Sequence, residues 1–258
     1  MKKALIATAV AAACTAPLAA FAQAAAAKPE PEYTISGNAG LFSDYRFRGV
    51  SQTDYNPAFQ GGFDFAHKSG FYLGNWNSNV SSVLYNGASL EMDFYGGYKT
   101  TIGDFGLDVG TLYYYYPGTG AYVPGFNAKN WEVYIGGSYG PVSLKYFHSF
   151  TDFFGLSAPG VDTKGSQYLD LSGAYDLGSG FGINGHIGWQ KIKNATQVGL
   201  SKDSYYDYKV GVTYDIAASG WIGGLTVVGT SEKDLFLTSD LSEGAGKTSV
   251  VVSITKSF

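Results

Sequence analysis

Along most of the chain, apolar and polar residues alternate one by one. In Trp131–Tyr139, Trp131, Val133, Ile135 and Tyr139 fall on one side, and Glu132, Tyr134 and Ser138 on the other. Leu90–Tyr98 sets Leu90, Met92, Phe94 and Tyr98 against Glu91 and Asp93. Phe181–Gln190 sets Phe181, Ile183, Ile187 and Trp189 against Asn184, His186 and Gln190. Successive side chains of a strand point to opposite faces, so this period of two predicts strands with one oily and one polar face. The chain ends the same way. Val250, Val252, Ile254 and Phe258 share a face, and Val251, Ser253, Thr255 and Ser257 the other. Lys256 interrupts the oily side, where its long side chain can snorkel to the headgroups. Taken alone, that last stretch also fits an amphipathic strand of a soluble sheet.

From Tyr33 onward, segments of about ten residues recur between turn signals, and about twelve strands are predicted. Short turns (Ser69-Gly70, Thr101–Asp104, Gly140-Pro141, Gly178–Gly180, Ala217–Gly220) alternate with longer links. The links are Ser51–Pro57, Ser81–Ala88, Pro117–Lys129, Phe154–Gly165, Ile192–Asp203 and Asp234–Gly246. A soluble sandwich has no reason to alternate in this way. An outer-membrane barrel does, with an even strand number, short periplasmic turns and long external loops. The expected fold is therefore all-β, a single antiparallel transmembrane β-barrel of outer-membrane type over residues 33–258, with both termini periplasmic. Aromatic residues cluster near both ends of the strands. Tyr113–Tyr116, Trp131, Phe147–Phe154, Tyr168, Trp189 and Tyr205–Tyr208 lie toward the long links. Phe71, Tyr98, Tyr139, Tyr175, Tyr214, Trp221 and Phe258 lie toward the short turns. Two interfacial belts are expected from this placement, the alternative being the aromatic core of a soluble β-protein. Gly61-Gly62 and Gly96-Gly97 fall inside strands and read as tight curvature. No helix follows them, so they are not phosphate loops.

Residues 1–22 have the three parts of a secretory signal peptide: Met1-Lys2-Lys3, an apolar run from Ala4 to Ala13, and Ala20-Phe21-Ala22 before Gln23. Cleavage is expected after Ala22. Cys14 raises lipidation as an alternative, which the alanines before it fit poorly. Residues 23–32 are a polar, alanine-rich leader expected to be disordered. Loss of residues 1–22 removes two lysines and the only cysteine, leaving 15 basic and 21 acidic residues and a formal charge of −6. Such a chain has no disulfide framework and no thiolate chemistry. It is acidic and lacks a basic run, so nucleic acid is not an expected partner.

Charged residues in mid-strand are costly toward lipid and tolerable toward a wet lumen. The pore-lining candidates are therefore Asp44, Arg46, Arg48, Asp64, Glu91, Asp93, Asp108, Glu132, Lys145, Asp170, Lys209 and Asp215, with Lys99 beside them. Counting along one first strand puts Asp44, Arg46 and Arg48 on one face, and counting back along its partner brings Asp64 near Asp44. This set reads either as a charged constriction or as an interior ion-pair network that holds strands in register. Acidic residues outnumber basic ones, which points to a narrow pore with a weak preference for cations.

The first hairpin carries a more specific signal. Ser36-Gly-Asn-Ala-Gly-Leu-Phe-Ser-Asp-Tyr-Arg-Phe-Arg-Gly-Val-Ser-Gln-Thr-Asp54 is followed by Pro57-Ala-Phe-Gln-Gly-Gly-Phe-Asp-Phe-Ala-His-Lys-Ser-Gly-Phe-Tyr72. Together they resemble the opening of the TorF family of porin-like proteins, which proteobacteria export. Asp108–Gly118, Tyr139–Tyr146, Asp207–Gly211 and Ser253–Phe258 are similar to the same family, and the long links match least. The resemblance implies an outer-membrane barrel and a channel, and it supplies no substrate. The terminal Phe258 resembles the signal that the barrel-assembly machinery reads on closing strands.

The expected function is passive diffusion of small solutes or ions through the outer membrane, with membrane lipid and the assembly machinery as partners. No cofactor and no metal is expected. A structural or adhesive barrel, whose external loops bind a ligand, is the alternative. An enzyme acting on lipid ranks below both, because His67, His148 and His186 sit on different strands without a spaced partner.

Overall fold

The computed structural model describes residues 31–216 and 219–258. The expected signal peptide, and the leader up to residue 30, lie outside the described residues. The strands are β1 (Tyr33–Phe42), β2 (Arg46–Phe47), β3 (Val50–Ser51), β4 (Ala58–His67), β5 (Phe71–Asn79), β6 (Leu90–Ile102), β7 (Phe105–Tyr115), β8 (Lys129–Tyr139), β9 (Val142–Ser149), β10 (Gln167–Gly178), β11 (Phe181–Lys191), β12 (Ser204–Asp215), β13 (Trp221–Thr230) and β14 (Ser249–Ser257). Twelve of them form one closed antiparallel barrel, and β2 and β3 make a separate two-stranded hairpin. The barrel closes where β1 meets β14, from Asn38 opposite Ser257 to Phe42 opposite Ser253. Closure leaves no sheet edge, which is the condition for crossing a bilayer with strands.

The short turns lie at one end together with Tyr33 and the end of β14, and the long connections lie at the other. The first connection departs from the expectation. β1 stops at Phe42, and residues 43–57 turn into the barrel as the β2–β3 hairpin. At the hairpin tip Arg48 and Gly49 both take positive φ (46° and 79°). Gly49 packs against the carbonyl of Gly229 and the side chain of Asp207, where a β-carbon would collide. Only glycine combines that backbone angle with such a close approach.

The outer surface carries the apolar face of each strand. Ile35, Phe63, Leu73, Phe94, Ile135, Leu171, Val210, Leu225 and Val252 are all exposed. An apolar face this extensive on every strand fits contact with hydrocarbon, not water. At the short-turn end, aromatic residues pair across neighbouring strands: Phe71 with Tyr98 (5.1 Å), Phe105 with Tyr139 (4.9 Å) and Phe181 with Tyr214 (4.7 Å between ring centres). At the long-loop end the expected belt is split by parity. Trp131, Phe150, Tyr206 and Tyr208 face outward, whereas Tyr114, Tyr116, Phe147, Tyr168 and Tyr205 are buried inside, and Phe153 is buried among the long loops with Ile192 and Ala195.

The inner face explains several of the glycines. Glycines of neighbouring strands make room for inward tyrosine rings: Gly74 for Tyr95, Gly97 for Tyr72, Gly110 for Tyr134 and Gly188 for Tyr168. A ring laid over a glycine covers the backbone that the missing side chain leaves bare. Gly62 has a different reason, because a β-carbon there would meet the Asn75 carbonyl and the Trp76 Cα of β5.

Two outcomes are expected from this architecture. The unheated chain should run at a different apparent mass from the boiled chain on a denaturing gel, as a closed barrel resists detergent. Gly62→Val should destabilise the barrel by about 1–3 kcal/mol, the usual cost of overpacking. Gly223→Ala, with open space beside it, should leave the urea midpoint of the gel shift unchanged.

Candidate functional site: the barrel interior

Alternation turns one residue in two toward the interior, and the inner layer is built from charges and phenols. Glu91, Asp93, Asp108, Glu132 and Lys145 are all buried inside the barrel. At this depth a charge needs a partner. Lys145 donates from Nζ to Asp108 Oδ2 at 2.6 Å, and Tyr72 donates to Asp108 Oδ1 at 2.6 Å. The phenols of Tyr72 and Tyr134 also meet, and Lys99 sits over the Tyr72 ring at 4.4 Å. On the neighbouring wall His186 lies between two carboxylates, Asp170 at 2.6 Å and Asp207 at 2.9 Å, and Tyr168 donates to Asp207 at 3.2 Å.

The inserted hairpin ties these walls together. Arg48 is 2% exposed. Its Nη2 donates to Glu132 Oε2 on β8 and its Nη1 to Gln190 Oε1 on β11, both at 2.7 Å. Its guanidinium lies 4.1 Å from the centre of the Tyr168 ring, a cation–π contact. Glu132 also accepts from Asn130 at 3.0 Å and Ser149 at 3.2 Å, so the carboxylate is well satisfied. Tyr45 packs edge-on to Trp76 and donates to Glu91 Oε1 at 2.9 Å. Phe47 meets Tyr114 and Phe154 edge-on. The long loop between β13 and β14 lies over the hairpin: Ser51 donates its N–H to the Ala245 carbonyl, and Arg46 Nη1 donates to the carbonyls of Ala245 and Lys247.

The structure corrects the placement of the first charged group. Asp44, Arg46 and Arg48 are not on the first barrel strand, because β1 ends before them and the hairpin carries them into the lumen. Asp44 pairs with Arg46 and accepts from Ser51 and Thr53. Asp64 is not near Asp44. It lies opposite Ser36, toward the short-turn end, and accepts from Tyr95 at 2.6 Å. Simple hairpin counting failed there because it assumed a tight turn where fifteen residues fold inward. Asp215 lies at the short-turn end of β12 opposite Ile222, far along its strand from Lys209. Asp207 was missed although it shares parity with Lys209, a signal the sequence does carry. Glu91 and Asp93 are brought together but sit behind the hairpin.

A small cavity of about 40 Å³ remains beside the hairpin. Its charged lining is Asp44, Arg46, Arg48, His186 and Lys209, and its apolar lining includes Phe42, Val228 and Val251. The carboxylates Glu91, Asp93, Asp108 and Glu132 are not part of it.

An apolar outer band, closed strands and a polar, charged interior define an outer-membrane-type barrel. The chain matches over residues 26–258 the family model described as "Bacterial protein of unknown function (Gcw_chp)", and it belongs to that family. Solved porins have a similar fold. The NanC porin superposes with a TM-score of 0.57 at 9% identity, over 87% of this chain and 99% of that one. The KdgM porin in complex with disordered oligogalacturonate gives 0.53 at 13% identity, over 87% and 98%. No curated protein matches the chain.

Removing one partner of the Arg48–Glu132 pair leaves a buried charge. Arg48→Met should therefore destabilise the folded barrel by about 3–5 kcal/mol, and adding Glu132→Gln should restore most of the loss. Urea unfolding in detergent, followed by tryptophan fluorescence, measures both. An exposed pair such as Lys193–Asp162 should tolerate Lys193→Ala with little change.

Proposed function

We propose that this chain is an outer-membrane channel for passive diffusion of small solutes or ions, narrowed by its own first loop. The observation that carries the reading is a closed barrel, apolar outside and charged inside, with a cavity beside an inserted hairpin. The similarity of fold to the NanC and KdgM porins and the resemblance of the first hairpin to the TorF family support it. In this reading residues 1–22 direct export, the short turns and both chain ends face the periplasm, and Phe258 is read by the assembly machinery. Asp108, Lys145, Asp215 and Asp64 line the periplasmic half, Asp170 and Lys209 lie nearer the hairpin, and the hairpin sets the constriction.

The count of carboxylates over the whole interior favours cations. The basic groups beside the remaining space are themselves paired, Arg46 with Asp44, Arg48 with Glu132 and His186 with Asp170 and Asp207, so the surplus of carboxylates carries a weak preference for cations in this reading. Barrels of about eight strands are filled by side chains and those of sixteen or more are open, so a twelve-stranded barrel with an inserted loop should conduct weakly.

Purified full-length protein in planar bilayers should show small single-channel steps. Replacing residues 45–51 by a glycine–serine linker should raise the conductance by about twofold or more. Absence of conductance from both forms would sink the channel reading. Deleting Phe258 should lower the amount of barrel reaching the outer membrane more than Phe258→Tyr does. Equal, normal levels of both would remove the assembly role.

A further inference from the structure

We propose that the lipid-facing side of β4 and β5, around Asn75 and Asn77, is the surface through which the barrel pairs with a second copy of itself in the membrane. The proposal rests on the barrel's place in a bilayer and is independent of whether the lumen conducts.

Asn75 and Asn77 share parity with the exposed Phe71 and Leu73, while Tyr72, Trp76 and Ser78 of the same strand are buried inside. Their depth follows from the register. Strands of a closed barrel tilt, so a row of paired residues climbs the wall from one rim to the other. From Asn77 the row runs through Gly61, Ala39 and Lys256 to Trp221, at the short-turn end. In the other direction it runs through Met92 and Tyr115 to Lys129, at the long-loop end. Asn77 is thus four strands from one rim and three from the other. The row of Asn75 gives the same depth. It reaches Phe258 through Phe63 and Gly37, and Trp131 through Phe94 and Tyr113. Both amides therefore lie near the middle of the bilayer. On the opposite wall, the middles of β10, β11 and β12 present Leu171, Ile187 and Val210 to lipid.

Hydrocarbon offers an amide no partner. The two side chains satisfy each other in part. Asn75 Nδ2 donates to the Asp93 carbonyl at 3.0 Å, and Asn77 Nδ2 donates to the Gly61 carbonyl at 3.2 Å and to Asn75 Oδ1 at 2.6 Å. Asn77 Oδ1 accepts from none of the described residues. An occupant of this surface must lie in the membrane and bring a donor to mid-depth. A second copy does so by symmetry. Two barrels inserted in the same direction are related by a twofold axis along the membrane normal, so each residue near the axis meets its counterpart at its own depth. An amide carries donor and acceptor together and is its own complement. The surroundings permit the approach. Ala39 and Gly61, next to Asn77 in its row, leave a hollow beside it, and Phe59, Phe63 and Phe94 stand exposed around that hollow. As between membrane helices, small residues let two backbones come close and polar side chains hold them there.

Oxidative crosslinking of the full-length protein in outer membranes tests the surface. Asn77→Cys should give a disulfide-linked dimer on mild oxidation, whereas Ile187→Cys on the opposite wall and the unsubstituted chain should not. No dimer from Asn77→Cys, equal yields from both walls, or a crosslink to a different protein overturns the proposal. In detergent, sedimentation of the purified protein should show a monomer–dimer equilibrium. Asn75→Leu combined with Asn77→Leu should raise its dissociation constant by about tenfold or more. A monomer at every concentration, or a dimer that the substitutions leave unchanged, overturns the proposal. The gel shift on heating checks that each variant still forms the barrel. If the double variant does not, Asn77→Cys against Ile187→Cys carries the test.

Discussion

The rest of the structure depends on the closure of β1 against β14. In hydrocarbon, an unpaired backbone N–H or carbonyl has no water to fall back on, so a strand can cross only if both of its neighbours are present. Closing the sheet meets that condition for all twelve barrel strands at once. It also imposes a second condition. Every strand now has one face to lipid and one to a confined interior, and all polar side chains of the crossing segments must go inward. The charge pairs, the phenol–carboxylate contacts and the glycine seats under tyrosine rings follow from fitting those side chains into a narrow space.

The inserted hairpin resolves a conflict in that interior. Glu132, Glu91 and Asp93 project from β8 and β6 into a space with few basic residues on the adjoining strands. Arg48 reaches Glu132 only because residues 43–57 leave the barrel wall and fold across the lumen. The same excursion places Tyr45 on Glu91 and Phe47 among Tyr114 and Phe154. Its backbone is held from above by the carbonyls around Ala245, so the first and last long loops stabilise one another. The hairpin is at once the counter-ion of the wall and the plug of the lumen. A change that opens the lumen by removing Arg48 therefore also weakens the barrel.

Much of this fold was legible in the residues, and for a simple reason. The contrast between lipid and lumen is imposed on every strand, and it writes a period of two that survives in Trp131–Tyr139, Leu90–Tyr98 and Val250–Phe258. Strand number and the segregation of short and long connections followed from the same pattern. Glu91, Asp93 and Glu132, which parity sets on the polar face, are buried in the barrel, and His186 lies between Asp170 and Asp207. Parity predicted less at the long-loop end, where Tyr114, Tyr116, Tyr168 and Tyr205 read as a belt but are buried, since an aromatic residue suits an interface and a packed lumen equally well.

What the sequence by itself determined is the class of fold and the face on which each strand residue lies, because both depend on neighbours one or two positions away. Which charges meet was decided by the tertiary structure alone. Arg48 and Glu132 are 84 residues apart, and Arg48 and Gln190 are 142 apart. The link is made by a chain reversal at Arg48-Gly49 that looks, in sequence, like the continuation of a strand. Asp64 was misplaced for the same reason, since its register depends on where β1 stops. Alternation records the solvent on each side of a strand and carries no record of where the chain leaves the wall.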